Sequence, residues 1–199
     1  MTHKEKILVL KKFKYGEADI VVHGLNPLGA RMNFFARGGM KSRKRFAGGI
    51  LEPTHYIEVT YKEGNSNDGG DPLHSLLEAN LVREFPRLRE NYDRLEAALY
   101  LLGLVHRLGQ QGVVDSPELF NLLGNALAAA EESTDLVNLK LQFELKVLNS
   151  QGILPHDDLF VPWLRANLAQ HGEFKVDQQM KSRLLAEAHA HLRQYLGTF

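Results

Sequence analysis

With 199 residues, no cysteine and 24 basic against 24 acidic side chains, the chain has room for one large domain or two small ones, and none for a disulfide framework or a thiolate zinc site. The zero net charge hides an asymmetry: residues 1–62 carry twelve Lys and Arg against five Asp and Glu, and residues 63–199 carry twelve against nineteen, so the halves stand at +7 and −7. A basic module that meets a polyanion and an acidic module with another task are expected. No apolar run reaches the roughly 18 residues of a membrane helix, and Ile7–Leu10, followed at once by Lys11, Lys12 and Lys14, is too short for a signal peptide. A cytosolic chain is expected.

Two β-rich apolar runs open the sequence, residues 6–13 and 19–25, separated by the turn-like Lys14-Tyr15-Gly16-Glu17 and read as paired strands. Asn26-Pro27-Leu28-Gly29 makes a second turn and starts a third strand, Ala30 to Ala36. Alternation there puts Met32, Phe34 and Ala36 on a core face, and Arg31, Asn33, Phe35 and Arg37 on the other, where a ring between two guanidinium groups suits stacking on a base. The alternative is that Phe35 is covered by the following loop.

Residues 37–49 are the densest positive charge in the chain: four of the five residues from Lys41 to Arg45 are basic, and no acid interrupts them. Gly38-Gly39 and Gly48-Gly49 bracket the run, which reads as a mobile loop or a short helix. His55 to Lys62 alternates as a fourth strand, and residues 63–72 read as a flexible loop. Residues 73–84 suit a helix by propensity and equally a fifth strand that closes a small barrel; periodicity does not choose between them.

From Pro86 the pattern is helical, with Leu88, Tyr92, Leu95, Leu99, Leu102 and Val105 expected on one buried face of a long helix. Ser116-Pro117-Glu118 starts a second helix whose buried face is Leu119, Phe120, Leu123, Leu127 and Ala130. Thr134 or Asp135 caps a third, Leu136 to Leu148, apolar on two sides and expected at the centre of a bundle. Gly152 and Pro155 end it. A further helix is expected near Pro162 to Gln170, and a last one from Asp177 to Leu196 with Met180, Leu184, Leu185, Ala188, Leu192 and Tyr195 inward.

Nine histidines invite a catalytic or metal reading. His189 and His191, two apart on a helix, point about 200° from each other in projection and do not share a metal. His156-Asp157-Asp158 is better explained as a turn or cap than as a cation site, and His171 as a helix-end residue. No phosphate-binding loop, nucleophile elbow, zinc-protease helix or dinucleotide fingerprint is present. Neither an enzyme nor a cofactor is expected.

Leu8-Val9-Leu10-Lys11-Lys12-Phe13-Lys14-Tyr15-Gly16-Glu17-Ala18-Asp19, then Leu28-Gly29, Ala36-Arg37-Gly38-Gly39 and Ala47-Gly48-Gly49-Ile50-Leu51-Glu52-Pro53, resemble in order and spacing the segments of the RecO family of bacterial recombination mediators. Leu99-Tyr100-Leu101-Leu102, Phe143-Glu144-Leu145-Lys146-Val147-Leu148 and Gly152-Ile153-Leu154-Pro155 resemble that family's helical half. The resemblance covers about three quarters of the chain. It implies an α+β protein of two domains: a five-stranded OB barrel at 1–84, with 73–84 as its fifth strand, and an all-α domain at 85–199. It also implies binding of single- and double-stranded DNA, strand annealing, and, with RecR, help for RecA on DNA coated with single-strand-binding protein, in the cytoplasm at the nucleoid. Many members of the family carry a Cys-x-x-Cys pair of a zinc site after the Leu-Pro segment. Phe160 and Trp163 stand there in this sequence, so zinc is expected to be absent and apolar packing to hold the region.

The residues expected to carry binding are Lys11, Lys12, Lys14, Arg31, Arg37, Lys41, Arg43, Lys44 and Arg45, on phosphates, with Phe35 stacking on bases. Two rivals are a protein-interaction adaptor working through its acidic helical half, and an OB-fold nuclease dependent on His156 or Asp157.

Overall fold

The structure is a computed structural model and describes residues 1–64, 71–110 and 116–197. Its fold is α+β, a closed five-stranded OB-type barrel followed by helices, as expected. The chain forms two compact units, Met1–Phe85 with Leu102–Phe120, and Pro86–Leu101 with Asn121–Phe199. Among the described residues no helix is long and apolar enough to cross a membrane.

In the first unit, β1 (His3–Tyr15), β2 (Asp19–Leu25), β3 (Arg31–Ala36), β4 (Tyr56–Lys62) and β5 (Leu73–Arg83) close in the order β1-β2-β3-β5-β4. Every neighbouring pair is antiparallel except β3 with β5, which is parallel. The ambiguous stretch after residue 72 is thus a strand: it finds partners on both sides, and a ladder outweighs local helix propensity. Most of the loop expected over 63–72 lies outside the described residues.

Inside the barrel Ile7, Val9, Ile20, Val22, Phe34, Ala36, Ile57, Val59, Tyr61, Leu76 and Ala79 form one buried cluster. Gly24 belongs to this inner layer because a Cβ there would fall 2.6 Å from Ile7 Cδ1. β1 is buried on both faces from Ile7 to Leu10 and then exposed, and the change coincides with a bulge between Val9 and Lys11. Val9 stays opposite Gly24 on β2, and its backbone donates to His55 O at 2.8 Å and accepts from Thr54 N at 3.1 Å in the segment that leads into β4.

The outward-facing row Tyr56, Leu8, Leu25 and Arg31, matched across β4, β1, β2 and β3, is covered by the segment Leu102–Phe120 of the same unit. Phe120 packs on Tyr56 at 5.7 Å between ring centres, and a Cβ at Gly109 would meet Arg31 Cβ at 3.1 Å.

The helices are α1 (Tyr92–Gln110), α2 (Pro117–Glu132), α3 (Leu136–Ser150), α4 (Val161–Arg165) and α5 (Gln178–Leu196). Two expectations are corrected here. The run from Pro86 is not one helix but a 3-10 turn, Pro86–Leu88, followed by α1, whose inward residues are Ala97, Ala98, Leu101, Leu102, Leu104, Val105 and Leu108, while Tyr92 and Leu99 are exposed. The segment Pro162–Gln170 divides into α4 and a 3-10 turn, Leu168–Glu173, where Asn167 caps the second piece in a reciprocal bond with Gln170.

In the second unit α3 is central, packed against α4, the 3-10 turn and α5. Asp135 is its N-cap, accepting from Asn138 N at 3.0 Å, and Gly152 (φ 68°) closes it as Ile153 N donates to Leu148 O at 3.0 Å. The buried Glu144 accepts from the Tyr100 hydroxyl and faces His189 Nε2 at 3.4 Å, and that hydrogen bond raises the imidazole's pKa.

His171 stands in the last turn of the 3-10 segment, as expected of a helix-end residue, and is buried. Its Nδ1 lies 2.7 Å from Leu168 O and its Nε2 2.7 Å from Ser133 Oγ. His156-Asp157-Asp158 forms a turn in which Asp157 accepts from Leu159 N at 2.8 Å.

Candidate nucleic-acid interface

The strand register sorts the expected site residues onto two surfaces. Across β1, β2 and β3, Lys11 pairs with His23 and His23 with Asn33; Phe13 pairs with Val21 and Val21 with Phe35; Tyr15 pairs with Asp19. Directly opposed residues share a face, so Lys11, Phe13, Tyr15, Val21, His23 and Phe35 lie together on the outside of the barrel. Lys12 and Lys14 pair instead with the core residues Val22 and Ile20 and point toward the barrel mouth. The nine cations therefore do not converge on one side.

The outer surface is aromatic. Tyr15 meets Phe35 edge to face at 5.8 Å, Phe13 lies 5.0 Å from His23, and Lys11 Nζ sits 4.8 Å above the Phe13 ring. Tyr15 is 61% exposed, Phe13 37%, and Phe35 is half-buried beside Tyr15. The sequence reading missed Phe13 and Tyr15. The signal was there in the period-2 alternation of β1 after Lys11, but the bulge decides which parity faces outward.

Arg31 is not on this open surface. Its side chain is 12% exposed, pairs with Asp71 and lies against Gly109. Its Nε and Nη1 have no hydrogen-bond partner among the described residues but are buried, so they are closed to a phosphate on this surface.

Below the aromatic row, His23 and His106 stack at 5.0 Å with Nδ1 and Nε2 2.7 Å apart, one nitrogen donating to the other. Burial, then His23, Arg31, Lys11 and Arg107, lower the His106 pKa to about 4; burial, then Arg31 and Lys11, lower that of His23, and Asp71 alone opposes. Both folded pKa values lie below the unfolded one, so the stability this pair confers is present above about pH 6.5 and is lost as pH falls toward 4. Urea unfolding of the wild type is expected to show a lower midpoint at pH 5 than at pH 7, and His106→Gln a smaller drop. Equal drops in the two proteins would remove the pair from this account.

The basic run is a chain of turns rather than a free loop or a helix. Asp19 Oδ1 accepts from Gly38 N at 2.7 Å, Met40 N donates to Ala18 O at 2.9 Å, and Lys41 N and Ser42 N both donate to Gly38 O at 3.0 Å. Gly38 takes φ 66°, which the turn requires. Phe46, Ile50 and Leu51 then drop into the barrel core, and Ala79 N donates to Arg45 O at 3.2 Å.

Arg45 is part of this scaffold: its guanidinium donates to Arg37 O at 2.7 Å and to Ser42 Oγ at 3.2 Å, and lies 5.2 Å from the centre of the Phe46 ring. Arg37, Lys41, Arg43 and Lys44 are exposed, as are Lys11 and Lys14, and among the described residues none of these six has a carboxylate at ion-pair distance. Lys12 is half-buried and paired with Glu52.

The parallel β3–β5 closure, the aromatic face on β1–β3 and the basic turns over the mouth define a protein of the OB-fold class with a helical C-terminal region. The family descriptions "Recombination protein O N terminal" and "Recombination protein O C terminal" match residues 1–85 and 89–158 in turn. The chain belongs to the recombination protein O family.

Relatives named "DNA repair protein RecO" align over most of the chain. That of Syntrophus aciditrophicus is 33% identical over 156 residues (77% of this chain, 57% of the relative), and that of Alkaliphilus metalliredigens 30% over 157 (78% and 61%). A third, from Thermodesulfovibrio yellowstonii, is 32% identical over 158 (78% and 59%). The chain thus spans about three fifths of the length of these relatives.

The Cys-x-x-Cys pair that many members of the family carry after the Leu-Pro segment is replaced here by Phe160 and Trp163, and both are buried.

Proposed function

We propose that the protein is a DNA-binding recombination mediator that performs no bond-breaking step. The barrel, residues 1–84, holds single- and double-stranded DNA by its backbone and anneals complementary strands. The helical part, residues 85–199, works with RecR and single-strand-binding protein so that RecA reaches coated DNA. The observation that carries this reading is the row of three aromatic rings, Phe13, Tyr15 and Phe35, flanked by Lys11 on a strand face, next to four exposed cations of the basic turns that have no carboxylate at ion-pair distance among the described residues. Rings stack on any base and lysines neutralise any phosphate, so such a surface follows a strand without reading its sequence.

A salt titration tests it. With about five phosphates neutralised, log affinity for a single strand should fall with log salt at a slope of about −3.5, roughly −0.7 per contact. The triple substitution Lys41→Ala, Arg43→Ala, Lys44→Ala removes three charges while leaving the scaffold residue Arg45, and should bring the slope to about −1.4 for every sequence tested. A slope unchanged by the substitution would take the basic turns out of the interface.

A further inference from the structure

The mouth of the barrel holds a cavity of about 310 Å³, lined among others by Lys12, Ser42, Arg43, Gly48, Gly49 and Glu52. That volume is at the lower end of sites for small ligands, about 300 to 1000 Å³. Ile20, Phe46 and Ile50 give its lining an apolar part, and Gly48 leaves the backbone open, since a Cβ there would meet nothing within 4 Å. Among the described residues Glu52 is the only acid in the lining, and it is paired with Lys12. Arg43, in the same lining, has no carboxylate at ion-pair distance among the described residues. Lys12 leaves β1 on the side opposite to Lys11, Phe13 and Tyr15, so a strand stacked on the aromatic row does not occupy this place.

We propose that the cavity is a second strand-binding subsite, which takes a backbone phosphate and its sugar from another DNA strand, and that Glu52 stands in for that phosphate on Lys12 in the DNA-free protein. The inference rests on the reading of the barrel as a DNA binder. Lys12 and Arg43 carry two positive charges and Glu52 one negative, so the lining is left at +1 while the carboxylate stays and at +2 when it swings out. An entering phosphate exchanges one anion for another on the same ammonium group. The exchange needs no new cavity, and the carboxylate costs the site affinity while keeping Lys12 in place. A barrel with one strand across its outer row and another at its mouth holds two chains at once, which is what annealing needs.

Binding of fluorescent oligothymidylate to the full chain, across a range of salt, provides the test. Glu52→Gln should tighten binding several-fold at low salt and steepen the salt slope by about 0.7, one additional phosphate contact. Glu58→Gln makes the same change in net charge beside Lys4, and should do neither. In a second measurement the protein is first saturated with unlabelled oligothymidylate of the same length, and a labelled second strand is added. Wild type should take it up, and Lys12→Ala should not. Equal slopes for Glu52→Gln and wild type, or undiminished uptake by Lys12→Ala, would overturn the subsite. Loss of first-strand binding in a Phe13, Tyr15, Phe35 alanine variant, in the same assay, would then leave the outer interface standing; no loss there would bring down the DNA-binding reading as well.

Discussion

Replacing Phe13, Tyr15 and Phe35 together by alanine is expected to weaken single-strand binding by about 100- to 1000-fold, while duplex affinity changes by less than about threefold. Stacking of a base on an aromatic side chain is worth about 1–3 kcal/mol. At about 1.4 kcal/mol per stack, inside that range and worth a factor of about ten, the loss of two to three stacks gives about 100- to 1000-fold. A duplex keeps its bases stacked within itself and meets the protein through phosphates, so it has no use for the rings. Tyr15 is largely exposed and Phe13 and Phe35 partly so, and none of the three belongs to the buried cluster inside the barrel, so the variant should keep its far-UV circular dichroism. Anisotropy titrations of one oligonucleotide, single-stranded and then annealed to its complement, make the comparison. Equal losses for both forms would reduce the rings to packing, and no loss for either would remove them from the interface.

β2, β3 and β4 were legible because each is short, rich in β-branched or aromatic residues, and bounded by glycine or proline turns. Asp19–Leu25 was read to the residue, and β3 and β4 to within one. Alternation shows that neighbours point to opposite faces, but it is silent on which face another element covers. Leu8 and Leu10 therefore looked like one continuous apolar run with Ile7 and Val9, although the register puts Leu8 in the outward row under Leu102–Phe120. A bulge of one residue then reverses the parity, and with it the separation of Lys11 from Lys12.

Arg31 was misjudged for a related reason. Its partner Asp71 is forty residues away, and only the parallel closure of β3 with β5 brings the start of β5 beside the start of β3. The basic run looked mobile because its charges conceal three apolar residues, Phe46, Ile50 and Leu51, that act as the plug of the barrel. In α1, Tyr92 and Leu99 matched a helical spacing, but Ala97, Ala98 and Leu101 fill the buried stripe, and two small residues can hardly be told from a neutral surface by hydropathy alone.

Trp163→Ala should destabilise the helical unit by about 3–5 kcal/mol, the usual cost of deleting a large buried aromatic side chain. Trp163 is 2% exposed and stacks on Phe174 with ring centres 4.1 Å apart and planes 13° from parallel. Phe160, one turn earlier, is equally buried. Their surroundings are tied to α3 by polar bonds as well: Gln142 Nε2 donates to Trp163 O and Ala166 O at 3.0 Å, and Lys146 Nζ to Leu164 O at 2.5 Å. Those bonds reach main-chain carbonyls and survive the substitution, so the loss is that of packing and stacking and should be largely recovered by Trp163→Phe. Urea unfolding followed by far-UV circular dichroism measures it, because the single tryptophan of the chain is itself the residue removed. A metal holding this region would produce the opposite pattern, with a chelator lowering the wild-type midpoint and Trp163→Ala costing less than about 1 kcal/mol. A packed aromatic pair predicts a midpoint indifferent to chelator and a large loss on truncation, and the two measurements together decide which of the two holds α4 in place.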